Sequence, residues 1–307
     1  MTTRSMRRHG PDGMGRAAGE NPPGVSRDVS PRRRRVRSSR AAAPVPPWES
    51  FSVAGPDGSL HVRRLGSGPR LPILFVHGLA GHGRHWTRQV ADLAADGHRV
   101  AAPDLRGHGR SDPSGTLDYR VEAYASDLEA VVETLAWRRF VVVGHSLGAA
   151  VAIEYAARHA GRVVGLVLVD PSGDSSRADP HQVVALVDDV REAPHREFEL
   201  HFRQFLVDSP PEVAESVLAD LVATPPEVLA ESFAGSMTYP AARRLRDAKV
   251  SAAFLVSTLN RGPDSLPALF PEITTARVVP AGHWLMLDRP ELVSRFVAEQ
   301  ADAWEGS

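Results

Sequence analysis

A hydroxyl set between two glycines, where a β-branched run meets a helical one, has the setting of a nucleophile. Ser146 is placed that way, in Gly144-His145-Ser146-Leu147-Gly148, with Phe140-Val141-Val142-Val143 before it and Ala149 to Ala157 after it. The G-x-S-x-G spacing by itself is common wherever a chain turns tightly. Between a strand and a helix it forces the central residue into a strained backbone that closes only with small neighbours. Ser146 would then stand exposed at the carboxyl end of a sheet, at a helix N-terminus whose partial positive charge favours a developing anion.

Such a serine needs a base to take its proton, a group to orient that base, and donors for an oxyanion. Among 13 histidines, His283 in Pro280-Ala281-Gly282-His283-Trp284 has the right position, after a predicted strand end and before the last predicted helix. The expected donors are the backbone N–H of Leu147, directly after the serine, and that of Leu79 in the turn His77-Gly78-Leu79-Ala80-Gly81. Glycines in that turn let backbone approach a substrate oxygen closely.

The elements that must hold these groups are legible as alternation. Strands are predicted at Glu49 to Ala54, Ser59 to Leu65, Pro72 to Val76, Arg99 to Pro103, Phe140 to Val143, Val163 to Val169, Ser251 to Ser257 and Ala276 to Pro280. Helical spacing runs from His85 to Ala95, and from Val121 to Trp137 with Val121, Tyr124, Leu128, Val131, Val132 and Leu135 on one face. A closing helix is expected from Pro290, capped by Asp288. Strands apolar on both faces, alternating with helices, imply an α/β architecture with a mostly parallel sheet covered on both sides. From about 172 to 247 the alternation lapses into helical segments separated by Pro-Pro pairs, as expected of a cap inserted over the carboxyl ends of the strands.

Composition sets further bounds. The chain has 307 residues, 42% hydrophobic and 24% charged, with no cysteine, so thiolate chemistry and disulfides are excluded. A net charge of -1 conceals asymmetry: residues 1–40 hold eleven Arg against Asp12, Glu20 and Asp28. Residues 1–47 read as a disordered Arg-rich tail, and 48–307 as the folded part. A solvated extension, or a true start at Met6 or Met14, is preferred for the tail over an arm for anionic polymers or membranes. No apolar stretch approaches the roughly 20 residues of a membrane span, and Arg7-Arg8 lacks the apolar run of an export signal. A cytoplasmic location is the expectation. No metal-ligand spacing, phosphate-cradling loop or aromatic-interleaved basic face was found, so no cofactor, metal or nucleic acid is expected, only a small-molecule substrate. The oligomeric state stays unassigned.

Four blocks carry a family resemblance: His77 to Gly81, Pro103-Asp104-Leu105-Arg106-Gly107-His108-Gly109-Arg110-Ser111-Asp112, Gly144 to Gly148, and Gly282 to Glu291. Together they resemble the lidded, single-domain esterase- and lipase-like serine hydrolases of the α/β-hydrolase fold. The resemblance implies an eight-stranded, mostly parallel sheet with a helical cap, and a structural role for the Arg106-Gly107-His108-Gly109 turn, so Asp104 and His108 are given no chemistry. Relatives of this fold that open epoxides or remove halide use an aspartate where this chain has Ser146; a serine fits acyl or C–C cleavage.

The acid is where the chain departs from the pattern. Most lidded relatives place it as G-x-x-D after the strand written here as Ala252 to Ser257, but this sequence reads Ser257-Thr258-Leu259-Asn260. An amide orients an imidazole yet cannot offset an imidazolium charge, a change that costs about 10⁴ in rate in a serine protease. Two carboxylates keep the order Ser…Asp…His. Asp170 ends the preceding strand at Leu168-Val169-Asp170-Pro171 and is preferred; Asp264 is the alternative acid. Each has a plain use as well, Asp170 as a turn residue before proline and Asp264 as a solvated loop charge. Phe198, Leu200, Phe202, Phe205 and Leu206 offer the cap an apolar surface, and Trp284 and Met286 lie beside His283; each is equally well suited to core packing.

The expected function is a serine hydrolase that cleaves an ester or related acyl bond of a small hydrophobic substrate through an acyl-enzyme. The alternative is a non-catalytic or ligand-binding protein on the same fold, motivated by Asn260.

Overall fold

Apolar runs alternate their side chains across a nine-stranded sheet, and that alternation builds two cores at once. The computed structural model describes residues 27–28, 47–159 and 161–306. Strands are β1 (Arg27–Asp28), β2 (Glu49–Gly55), β3 (Gly58–Leu65), β4 (Arg70–Val76), β5 (His98–Pro103), β6 (Phe140–His145), β7 (Val163–Val169), β8 (Ser251–Val256) and β9 (Thr274–Arg277). Their order is β1-β9-β8-β7-β6-β4-β5-β3-β2. Pairs β2–β3 and β3–β5 are antiparallel, and every other neighbour is parallel. Strands β2 to β9 form the eight-stranded, mostly parallel sheet expected from the sequence, with the two-residue β1 added at the edge. The proposed tail, 1–47, otherwise falls almost wholly outside the described residues.

Period two decides which core each residue enters. Leu74, Val76, Val142, Leu166, Leu168 and Phe254 face one side. Ile73, Phe75, Val141, Val143, Val167 and Leu255 face the other. On the first side lie α2 (Val121–Leu135), α3 (Leu147–Arg158) and α8 (Ala241–Ala248); on the second lie α1 (Thr87–Ala95) and α11 (Pro290–Glu305). A residue inside either layer is buried by both sheet and helix, which is why the central strands read as unbroken apolar runs.

Between β7 and β8 the described residues are helical: α4 (Pro180–Glu192), α5 (Pro194–Phe205), α6 (Pro211–Ala223) and α7 (Pro226–Met237), then α8. Each of α4 to α7 begins with proline at its first position, where a missing N–H costs no intrahelical bond. Among the described residues no helix is long and apolar enough to cross a membrane.

Two sequence expectations need correction. The last strand covers Thr274–Arg277, not Ala276 to Pro280. The Val278 N–H still bonds the Val256 carbonyl, but Pro280 has no N–H with which to extend the ladder. Asp288 does not cap the closing helix: the residue before it is Arg289, with no side-chain cap. Asp288 instead ends the short α10 (Leu285–Asp288) and turns its carboxylate inward, accepting from the Gly282 N–H at 2.7 Å and the Ser209 hydroxyl at 3.1 Å.

Candidate active site

The strand ends that converge on one rim are neighbours in the sheet: β4 leads into His77-Gly78, β6 into Ser146, β7 into Asp170 and β8 into Ser257. At Ser146 the backbone has φ 50° and ψ −117°, outside the regions an L-residue adopts readily. The turn tolerates no bulk on either side. A Cβ at Gly144 would run into the Gly148 carbonyl, and one at Gly148 into the Val76 and His77 carbonyls of the β4 end. Both glycines are therefore fixed by close approach, and Ser146 sits one residue before α3. Leu147, as the first residue of α3, has an N–H with no intrahelical acceptor.

His283 and Asp170 meet directly. Nδ1–H of His283 donates to Asp170 Oδ2 at 2.7 Å. The same carboxylate accepts from the Ser257 N–H at 2.8 Å on Oδ1 and from the Ser257 hydroxyl at 2.9 Å on Oδ2. Three donors on one buried carboxylate fix its plane. Asp170 holds a positive φ of 40°, which its short polar side chain tolerates better than most, and its own N–H bonds the Leu255 carbonyl.

The other carboxylate, Asp264, and the amide of Asn260 line the same cavity but are engaged with other partners. Asp264 accepts from Arg177 Nε at 2.7 Å in a pair about half exposed on both sides. Asn260 donates its amide N–H to the Pro171 carbonyl at 2.7 Å, and its own carbonyl accepts from Arg277. Ser257, the first residue of that aberrant motif, is what the β8 end contributes to His283, by way of Asp170. The sequence drew attention to Asn260, the last member of Ser257-Thr258-Leu259-Asn260, and passed over Ser257, the first. The available signal was that a carboxylate buried at the end of β7 needs a donor, which the next strand's end can supply.

His145 shows why one imidazole differs from another here. Its Nε2–H donates to the His283 carbonyl at 3.0 Å, and its ring lies 4.6 Å from that of His283. Burial holds the His145 ring well below the usual imidazole range, and the nearby His283 adds to the effect. His145 is thus a neutral prop under the His283 loop. On the other side, the His283 N–H donates to the Phe205 carbonyl at 3.0 Å, so the loop is held by α5 as well. Burial pushes the Asp288 carboxyl above its ordinary value, against the hydrogen bonds from Ser209 and Gly282.

Asp104 is fully buried and holds Arg63 at 2.6 Å and the Gly83 N–H at 2.7 Å, a bracing role with no access to the rim. His108 is buried too, its pKa lowered to about 4 by desolvation.

Ser146, His283, Asp170, Leu79 and Leu147 all line one cavity of about 620 Å³. Phe198, Phe202, Phe205 and Phe233 from the helices after β7 form its apolar wall, with Trp284. Phe202 stands edge-on to Trp284 with ring centres 4.9 Å apart. Of the other apolar residues singled out in the sequence, Leu200 is 54% exposed, while Leu206 and Met286 pack in the second core.

One convergence had no counterpart in the sequence reading. His82 and His85, in the turn after β4, meet Asp220 of α6, with Nε2 to carboxylate distances of 3.2 and 2.9 Å. The i, i+3 spacing of the two histidines was visible, but its partner lies 135 residues away in the chain.

Residues 72–210 match the family model described as the alpha/beta hydrolase fold. The chain is 41% identical over 113 residues to the lipase LipV of Mycobacterium tuberculosis, covering 37% of this chain and 42% of that protein. It is 40% identical over 148 residues to a non-heme haloperoxidase of Rhodococcus erythropolis, covering 47% of this chain and 53% of the other. The chain thus spans about half or less of these curated relatives. A thermophilic esterase from Thermogutta terrifontis superposes with TM-score 0.69 at 25% identity, covering 84% of this chain and 99% of that one. Est816, an N-acyl homoserine lactone degrading enzyme, superposes with TM-score 0.71 at 20% identity, over 81% of this chain and 99% of its own, a likeness of fold alone. Sheet order, the turn at Ser146 and these matches agree: the chain has the α/β-hydrolase fold.

Proposed function

We propose that the protein is a serine hydrolase that cleaves an ester or related acyl bond of a small hydrophobic substrate. Ser146 Oγ attacks the acyl carbon while His283 Nε2 takes its proton, and Asp170 balances the imidazolium through Nδ1–H. The carbonyl oxygen becomes an oxyanion, received by the N–H groups of Leu147 and Leu79. Collapse breaks the C–O bond to the leaving alcohol, which takes the proton from His283, and leaves an acyl group on Ser146. Water, deprotonated by His283, then attacks that ester; the acid is released and Ser146 regains its proton.

The observation that carries this reading is the 2.7 Å bond between His283 and Asp170 on the wall of the cavity that also exposes Ser146. Asn260 motivated the non-catalytic alternative; the Asp170 carboxylate beside His283 supports the catalytic reading over it. A cavity of about 620 Å³ suits a drug-sized or smaller ligand, and its phenylalanine wall favours an acyl chain over a charged group. The helices after β7 act in this proposal as the cap.

The test is hydrolysis of p-nitrophenyl acetate and butyrate by wild type and Ser146→Ala. Turnover by wild type is expected, with loss of about 10⁵ or more in the variant. Equal turnover by both would refute the assignment of Ser146.

A further inference from the structure

The pairing of α6 with the turn after β4 has the makings of a metal centre. One ligand atom from each of His82, His85 and Asp220 lies within 4.8 Å of the others; His82 Nε2 is 3.2 Å from Asp220 Oδ1, and His85 Nε2 is 2.9 Å from Oδ2. Tetrahedral zinc, with bonds of about 2.0–2.2 Å to nitrogen and oxygen, separates its ligand atoms by roughly 3.3 Å. Each imidazole nitrogen already faces one carboxylate oxygen at close to that spacing, so shifts of the side chains alone would gather both nitrogens and the carboxylate around a single ion.

Each ligand is held by its own element. The Gly83 N–H, between the two histidines, is pinned to Asp104 at 2.7 Å, and the His85 N–H bonds the His82 carbonyl at 3.0 Å. Asp220 sits within α6, whose last turn closes onto its carbonyl through the Thr224 N–H. His85 is buried, while His82 and Asp220 are part-exposed, so one side of the triangle opens to solvent for entry and for a fourth ligand.

We propose that His82, His85 and Asp220 bind a divalent zinc-class cation that ties α6 to the turn after β4. Two imidazoles and one carboxylate, without thiolate, suit zinc, nickel or copper and not magnesium, which demands oxygen ligands and keeps its waters. Binding through Nε2 moves each ring's proton to Nδ1. The Nδ1 atoms of both rings are buried with no protein partner among the described residues. With no partner at either Nδ1 among the described residues to raise the ring's basicity, affinity falls about 10–100-fold below that of a fully supported site.

The experiment uses the whole, tag-free chain stripped with chelator and dialysed. Isothermal titration with ZnCl₂, and with MgCl₂ as control, should give about one zinc per chain, no magnesium binding and a higher Tm with zinc, reversed by EDTA. His82→Gln and Asp220→Asn should each weaken binding at least about tenfold. Far-UV circular dichroism of each variant checks the fold, and His82→Gln, at the more exposed ligand, decides the matter should Asp220→Asn fail to fold. No stoichiometric binding by wild type up to about 100 μM zinc, or unchanged affinity in the folded variants, overturns the proposal. None of these readouts depends on Ser146 chemistry, so the two proposals fail separately.

Discussion

Three donors converge on Asp170, and a single atom exchange there separates charge from shape. Asp170→Asn keeps the volume but loses the negative charge that balances His283, so kcat should fall about 10⁴-fold with KM little changed. Asp264→Asn, which only frees a surface Arg177, should leave kcat within about twofold. Steady-state kinetics on one p-nitrophenyl ester checks both, and the reverse pattern would transfer the acid role. Ser146 and His283 were legible because each is announced by its own neighbours: two glycines around one, a glycine and a strand end before the other. Asp170 was legible only through a failure elsewhere, at Asn260. Asp288 was misread for a physical reason. An Asp two places before Pro290 has the look of a helix cap, but the burial of the Gly282 N–H gives its carboxylate a stronger claim.

Among the elements, α5 links the candidate site to its proposed specificity. It supplies Phe198, Phe202 and Phe205 to the cavity and accepts the His283 N–H at its end. Phe202→Ala removes the ring that packs edge-on to Trp284 and opens apolar space. The ratio of kcat/KM for p-nitrophenyl octanoate over acetate should drop about 10-fold, since each lost apolar contact is worth roughly 1–3 kcal/mol in such pockets. An unchanged ratio would mean that the acyl chain lies elsewhere. Strand positions were readable from apolar runs, and the central ones came within a residue or two. The last strand slipped because Val278 and Val279 continue the apolar run past the point where Pro280 ends pairing. The contacts of α4 to α7 with the sheet were not readable at all, because a helical period says which face is apolar and not what meets it. For the same reason His82 and His85 gave no hint of Asp220.

For the molecule as a whole, the neutral buried histidines set a pH limit on stability. His77, His85, His108 and His145 all have their pKa lowered by burial, His108 to about 4. A histidine lowered in the folded state binds its proton more readily when unfolded. Between the unfolded value near 6.5 and the folded value, each such group therefore removes up to about 1.4 kcal/mol of stability per pH unit of acidification. Urea midpoints should be flat from pH 8 to 7 and fall steadily from pH 6.5 to 5, a range above that of ordinary carboxylates. A midpoint that stays constant to pH 5 would mean that these rings are solvated.

Intact-mass spectrometry of the whole chain after exposure to a fluorophosphonate reads the central claim most directly. One phosphonyl group per folded wild-type chain is expected, mapped to the peptide holding Ser146, with none on Ser146→Ala and markedly slower labelling of Asp170→Asn. A folded wild type that stays unlabelled, or a label that persists on Ser146→Ala, contradicts it.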